Sequence, residues 1–428
     1  MAYYNKIVVS VLFFLATQST SFANSTWSFL TYMEADNSLA PFTKFNIGDM
    51  QKVGSTSDVN ILVQLDQIRQ SSITYRYKVL QNRTNLDHSI GQPMGINPGK
   101  ELVNAMSWVK SSYPAENYAL VLWNHGNGVL DRSLDRHTLP TSWFQLPGLK
   151  KRYNNDRGIL YNDLRDTFLD NPGLSTACSQ IKSVIGKNID FLGADACLMA
   201  MIEVAFQVKD SVSYLVASQE TEPGYGWPYA DILSVLAGIP QISTADFATA
   251  AVQAYANFYR SSQYADPSFT QSAINVSKIT AATTAFNTVL SAIQAMMILD
   301  KTSTQKALND ARAKTQEFYI PDYVDLINLY NNLTTEFGKL KNTGKAKQKN
   351  KLAKRIVKAT NRTISAIAQA KAATLEAVIA SQAGPDFNGN ANGLSIYFPA
   401  DGRVASSYKT TFFAQQTNWV AILAALRS

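Results

Sequence analysis

Histidine is scarce in this chain: 428 residues hold three, His88, His125 and His137, beside two cysteines, Cys178 and Cys197. That supply gives little from which to build a zinc site, and no Cys/His pair has zinc-like spacing. The sequence also lacks a phosphate-binding glycine loop, an EF-hand spacing and any internal repeat. Positive charge is scarce over most of the length too. Nine Lys or Arg and no acid lie between Lys339 and Lys358, and without them the net charge of +7 turns slightly negative. A nucleic-acid binder would more often spread its basic residues over a binding face, so no nucleic-acid partner is expected. The 339–358 segment reads either as a solvated helix with its preceding loop, or as a contact to an anionic surface of lipid or cell wall.

Long apolar runs are missing as well. Ile7 to Ala16 is ten residues long, follows Lys6, and leads to Ser21-Phe22-Ala23, which carries small residues where a signal peptidase reads them. It is too short to span a membrane, which takes about 20 residues. Residues 1–23 are therefore expected to be a secretory signal cleaved after Ala23. The mature chain is expected to be secreted or periplasmic, monomeric and without a transmembrane segment.

What is present is a large core. The chain is 46% hydrophobic and 17% charged, ordinary for a folded globular protein. Trp27–Met33, Val59–Leu65, Tyr118–Trp123, Ile189–Ala194 and Tyr214–Ser218 read as strands. Thr74–Leu80 alternates and reads as a half-exposed edge strand. Helical patterns at Gly99–Tyr113, Tyr161–Phe168 and Leu174–Ile185 separate them, the pattern of a mostly parallel sheet covered on both faces. After about residue 240 the chain turns mainly helical: Ala245–Tyr259, Ile279–Ile298, Thr304–Tyr319 and Lys351–Ser381, interrupted by strands at Ser272–Val276 and Gly393–Phe398. The connection from Leu130 to Arg157, basic and rich in Pro, Ser, Asn and Gly, reads as a long loop.

Two strands end in chemistry. Ile189 to Ala194 runs into Asp195-Ala196-Cys197, and the spacing of Leu198, Met199, Ile202, Ala205 and Phe206 predicts a helix directly after it. A thiol at a helix N-terminus is biased toward the reactive thiolate. Tyr118 to Trp123 runs into Asn124-His125-Gly126-Asn127-Gly128. Side by side, the two strands would bring a thiol nucleophile and an imidazole acid/base to one rim of the sheet. Neither His88, beside Asp87, nor His137, in the long loop, has that setting. Cys178 falls in a helical stretch and reads as a buried free thiol; pairing it with Cys197 would lock the nucleophile away.

Together these blocks resemble the clostripain family of cysteine peptidases, in the clan of caspases, gingipains and legumain. The resemblance rests on Trp27–Asn37, Tyr118–Gly126, Asp190–Met199, Leu215–Tyr229, Tyr323–Leu326 and Ala391–Pro399, and so covers essentially the whole mature chain. It implies a caspase-like α/β/α sandwich, with a catalytic core at 24–240 and a helix-rich part at 241–428 that returns strands to the sheet. It implies Cys197 as nucleophile, His125 as acid/base serving mainly the leaving amine, and the backbone N–H groups of Gly126 and Cys197 as the oxyanion hole. Asp195 would line the S1 pocket and favour Arg or Lys at P1, or else only orient the loop around Cys197. Some Arg/Lys-specific relatives carry a second acid where this chain has Tyr225; Glu220 and Glu222 are nearby to substitute, and Trp227 is a further candidate to touch substrate. Relatives activated by cutting the corresponding loop point to Lys150-Lys151-Arg152 as a self-cleavage site. No cofactor is required, although calcium stays open, with Glu34, Asp36 and Asp66 as available acids. The expected substrates are proteins or peptides. Two alternatives are an amide ligase using the same thioester and a non-catalytic envelope or surface-binding protein.

Overall fold

The computed structural model describes residues 25–67, 73–130, 158–261, 263–346 and 351–427. The signal segment, the basic triplet 150–152 and part of the 339–358 stretch lie outside them. Apolar segments too short for a helix form strands β1 (Ser25–Ala35), β2 (Val59–Gln67), β3 (Thr74–Leu80), β4 (Arg83–Ile90), β5 (Ala115–Trp123), β8 (Ile189–Asp195), β9 (Val212–Ala217), β10 (Thr270–Asn275) and β12 (Val378–Ala383). They make one nine-stranded sheet in the order β12-β10-β9-β8-β5-β1-β2-β3-β4. The central strands β9, β8, β5, β1 and β2 are parallel, and antiparallel strands flank them on both sides.

The sheet is buried on both faces, as parallel sheets are. Leu30 and Tyr32 of β1 with Leu120 and Leu122 of β5 pack on one side. That side is covered by α2 (Pro98–Ser112), α3 (Asn171–Ile185) and α7 (Ile279–Leu299). Phe29 and Met33 with Ala119 and Val121 pack on the other, under α1 (Thr43–Val53), α5 (Tyr229–Gly238) and α6 (Thr244–Arg260). Such alternation is what two-sided burial of a strand requires. The architecture is an α/β/α sandwich. On the first side, α9 (Leu326–Ala346) and α10 (Lys351–Ala377) add to the helical layer. Val276–Leu299 is long and apolar enough to cross a membrane by composition, but its buried face packs into this core.

Several expectations need correction. Thr74–Leu80 is not the edge, because β4, polar and largely exposed, pairs outside it as a hairpin. Tyr161–Phe168 is not a helix but the hairpin of β6 (Ile159–Asn162) and β7 (Thr167–Leu169), turned at Asp166 with φ +50°. The last residues of the helix expected to reach Ser381 leave it at Ala377 to pair with β10. The strand expected at Gly393–Phe398 shortens to β13 (Ser395–Tyr397) and joins β11 (Tyr323–Asp325) in a separate two-stranded sheet.

Candidate active site

The strand order reverses at β1: the chain goes from β1 to β2 on one side, then returns to place β5 on the other. Ligands in such sheets gather at the carboxyl ends of strands beside a reversal of this kind. Here the ends of β1, β5 and β8 contribute in turn. Trp123 of β5 is in register with Asp195 of β8, so His125 and Cys197 each lie two residues beyond one matched pair. The Asn124 N–H donates to the Asp195 carbonyl at 3.2 Å and holds the two strand exits together. Gly126 shows how close they are. A Cβ built on it would stand 2.4 Å from the Cys197 carbonyl oxygen and 3.2 Å from the Cys197 nitrogen, so only glycine permits this approach.

The nucleophile turn differs from its expectation. No helix starts at Cys197, since α4 (Ile202–Gln207) begins five residues later. In between, the Leu198 N–H donates to the Glu220 carbonyl at 3.1 Å and the Ala200 N–H to the Ser218 carbonyl at 2.8 Å. Those bonds draw the backbone away from a helical path and hold Leu198 at φ +66°, a region costly for a leucine. A helix dipole therefore does not activate the thiol. What reaches the sulfur is the backbone N–H of Glu222, 3.2 Å from Sγ, a donor that favours the thiolate over the thiol. Cys178 is free and buried within the core, and burial pushes its thiol up to about 12.

His125 is oriented from β1. Its Nε2 lies 3.0 Å from the Ser38 hydroxyl, and its backbone N–H donates to Asn124 Oδ1 at 2.6 Å. Asn124 also binds both backbone groups of Tyr161, accepting from N–H at 3.0 Å and donating to the carbonyl at 3.1 Å. Sequence reading missed Ser38 and Asn124. The signal for both was their place in the polar stretches that end β1 and β5.

Cys197, His125, Asp195, Glu222 and Gly224 line one cleft, about 430 Å³ including its open mouth. Asp195 is at its floor. Its Oδ2 accepts from the Tyr229 hydroxyl at 2.7 Å and from the Trp227 N–H at 3.3 Å, and burial pushes the carboxyl up to about 6. Gly226, at φ +65°, lies directly on this carboxylate, where a Cβ would come within 2.8 Å of Oδ1. Glu222 is buried beside Asp195, and desolvation first, then the Asp195 charge, hold its pKa well above the ordinary carboxylate range.

The other candidates lie apart from the cleft lining. Glu220 is turned toward the helical side, where Oε2 accepts the Tyr319 N–H at 2.9 Å, and burial pushes it up to about 7. Trp227 is fully buried behind Gly193, packed on Phe191. Tyr225 is 43% exposed at the rim among Phe42, Phe45 and Tyr264, its carbonyl held by Asn46. Among the described residues no three His, Cys, Asp or Glu side chains converge as around a metal ion. Glu34 and Asp66 use oxygens on Asn162 and on the Met94 N–H, and Asp36 pairs with Arg165.

Compared with known proteins, residues 31–424 match the sequence profile of the clostripain family. The chain belongs to that family. Clostripain of Hathewaya histolytica is 26% identical over 247 residues, 51% of this chain and 43% of the relative, so the match spans less than half of that protein's length. Two solved structures share the clostripain-family fold. A secreted C11 cysteine protease from Bacteroides thetaiotaomicron, in complex with an irreversible peptide inhibitor, aligns at TM-score 0.63 and 19% identity over 93% of this chain and 99% of its own. An inactive zymogen C11 protease from Parabacteroides distasonis aligns at TM-score 0.60 and 18% identity, over 92% and 99%.

Proposed function

We propose that this protein is an exported cysteine endopeptidase that cleaves after Arg or Lys. The observation that carries the reading is the matched exit of His125 and Cys197 from neighbouring parallel strands, above a cleft floored by Asp195. In this scheme the Cys197 sulfur attacks the scissile carbonyl carbon and forms a tetrahedral intermediate. The backbone N–H groups of Cys197 and Gly126 hold its oxyanion. His125, oriented by Ser38, delivers a proton to the leaving amine, and water then hydrolyses the thioester. Asp195 supplies the negative charge for a P1 cation, with Glu222 beside it as the second acid.

Export is supported by the N-terminal Lys6, the apolar run and Ser21-Phe22-Ala23, and by the family relative described as secreted. The reading needs no cofactor, so activity should survive EDTA. Self-cleavage at Lys150-Lys151-Arg152 is supported by the basic triplet in the long connection that follows the histidine strand. A P1 scan with fluorogenic peptides tests the whole reading. Arg and Lys should lead, and Cys197→Ala should abolish turnover and leave the incubated chain in one piece. Hydrolysis that survives Cys197→Ala would refute the assignment of the nucleophile.

A further inference from the structure

Glu222 and Asp195 are an acid pair facing one cleft, with no counter-ion for them among the described residues. The described residues that line it include no Lys or Arg, and His125 is the sole side chain among them able to carry positive charge. One oxygen of Glu222, Oε1, accepts from Trp227 Nε1 at 3.4 Å and Gln271 Nε2 at 3.2 Å. The other, Oε2, is fully buried and meets no N–H or O–H donor. What stands beside it is the Asp195 carboxyl, whose Oδ2 already takes the Tyr229 hydroxyl and the Trp227 N–H. A buried acceptor facing another acceptor is costly unless a proton lies between them. Among the described residues, the groups that press on the pair from neighbouring elements do not supply a cation. They are Tyr229 from α5, Tyr255 and Tyr259 from α6, Gln271 from β10, and the sulfur of Cys197, which receives the Glu222 N–H.

We propose that Asp195 and Glu222 hold a single proton between them before substrate arrives, and that an entering P1 ammonium or guanidinium expels it to solvent. Glu222 then serves as the second counter-charge of the pocket. The balance is simple: the O–H bond of Glu222 breaks, its proton passes to water or buffer, and the pair goes from one negative charge to two against the incoming positive one. No covalent bond to the substrate is involved. The desolvation and Coulomb repulsion that keep the second acid neutral are the forces an opposite charge at contact distance reverses. This makes selection at P1 a proton-linked event, stronger as pH rises through the range in which the pair titrates. It also gives an uncharged P1 side chain a neutral acid to face rather than a second bare carboxylate. The proposal rests on the basic-P1 reading given above.

The test uses benzamidine as a reversible cationic probe and the full-length protein. Calorimetry near pH 7.5, where Asp195 is largely ionised before ligand is added, reads protons released per ligand bound in buffers that differ in ionisation enthalpy. Wild type should release close to one. Glu222→Gln should release essentially none, and its ratio of kcat/KM for Arg over norleucine peptides should fall by roughly 10- to 100-fold. If wild type binds benzamidine and prefers Arg but releases no proton, the shared proton is wrong while the P1 reading stands. If both proteins release one proton, it comes from another group and the proposal also fails. If wild type shows no preference for Arg over norleucine, the P1 reading itself has failed. Should Glu222→Gln not fold, His125→Ala takes its place: with both acids kept it should still release close to one proton, and release of none would overturn the proposal.

Discussion

Two groups of buried acids sit at the same end of the sheet, and among the described residues only one of them includes a cation. At the ends of β1 and β2, Glu34, Asp36 and Asp66 are answered from within the protein. Asn162 Nδ2 reaches Glu34 at 3.0 Å, the Met94 N–H reaches Asp66 at 2.7 Å, and Arg165 pairs with Asp36 at 3.3 Å. The bonds from Asn162 and Arg165 fasten the β6–β7 hairpin, which follows the long connection, against the end of β1, and Asn124 beside His125 is part of the same fastening. At the ends of β8 and β9, Asp195 and Glu222 receive hydroxyl, amide and indole donors but, among the described residues, no Lys or Arg. A buried charge is tolerated when it is paired, and otherwise stays protonated or waits for a partner. The first group serves the architecture. The second finds no cation among the described residues, as the proposed P1 pocket requires.

The sharpest way to break this contrast is Asp195→Asn. Removing one member of a buried charge pair costs about 2–5 kcal/mol in binding. Hydrolysis of Arg-P1 peptides should therefore fall by about 100-fold or more in kcat/KM, with a much smaller loss for norleucine peptides. An equal loss on both would mean that Asp195 merely orients the Cys197 loop. A smaller effect is expected from Asp36→Asn, which takes from Arg165 its charge partner. Because Arg165 is partly solvent-exposed, the loss should be only about 1 kcal/mol by urea unfolding. The Arg-to-norleucine ratio should stay within about twofold. A shift in that ratio comparable to that of Asp195→Asn would erase the distinction between the two groups.

The strands that carry the site, though not the contrast between the two acid groups, could be foreseen from particular residues. Strand β8 was legible because Ile189 to Ala194 is apolar and then breaks at Asp195, and β5 repeats the pattern up to His125. That repeated grammar raised the meeting of His125 and Cys197 as a condition on the two strands lying side by side, and their register supplies it. The conformation just after Cys197 was not legible. Leu198, Met199 and Ile202 have helical spacing, but long-range bonds to Glu220 and Ser218 override it, as tertiary contacts commonly override local preference. Strand β4 was hidden for the opposite reason: Arg83–Ile90 is too polar to announce a strand and is held by pairing to β3. Glu220 and Glu222 could not be separated in sequence. Two residues apart in an irregular loop, one turns to Tyr319 and the other to Asp195, a distinction no periodicity encodes.

The mildest effect is on stability against pH, and it too divides the two groups. Burial raises Asp66 and Asp195 to about 6, above the ordinary value near 4 for an unfolded aspartate. Between those values the native state keeps protons that the unfolded chain has released, so stability is greatest near pH 4 on this account and falls as pH rises through about 6. Glu203 and Glu220, raised to about 7, extend the decline to neutrality. Asp87 and Glu336, held low by their partners, act in the opposite sense but weakly, since solvent screens Asp87 and the exposed lysines that answer Glu336. Thermal scans should therefore show Tm dropping by a few degrees from pH 5 to pH 8. Saturating benzamidine should remove the share of that slope due to Asp195 and Glu222, because the bound cation stabilises their ionised forms. It should leave the share due to Asp66, which the ligand does not touch. A slope that benzamidine leaves unaltered would place the titrating acids outside the cleft and count against an S1 pocket built on that pair.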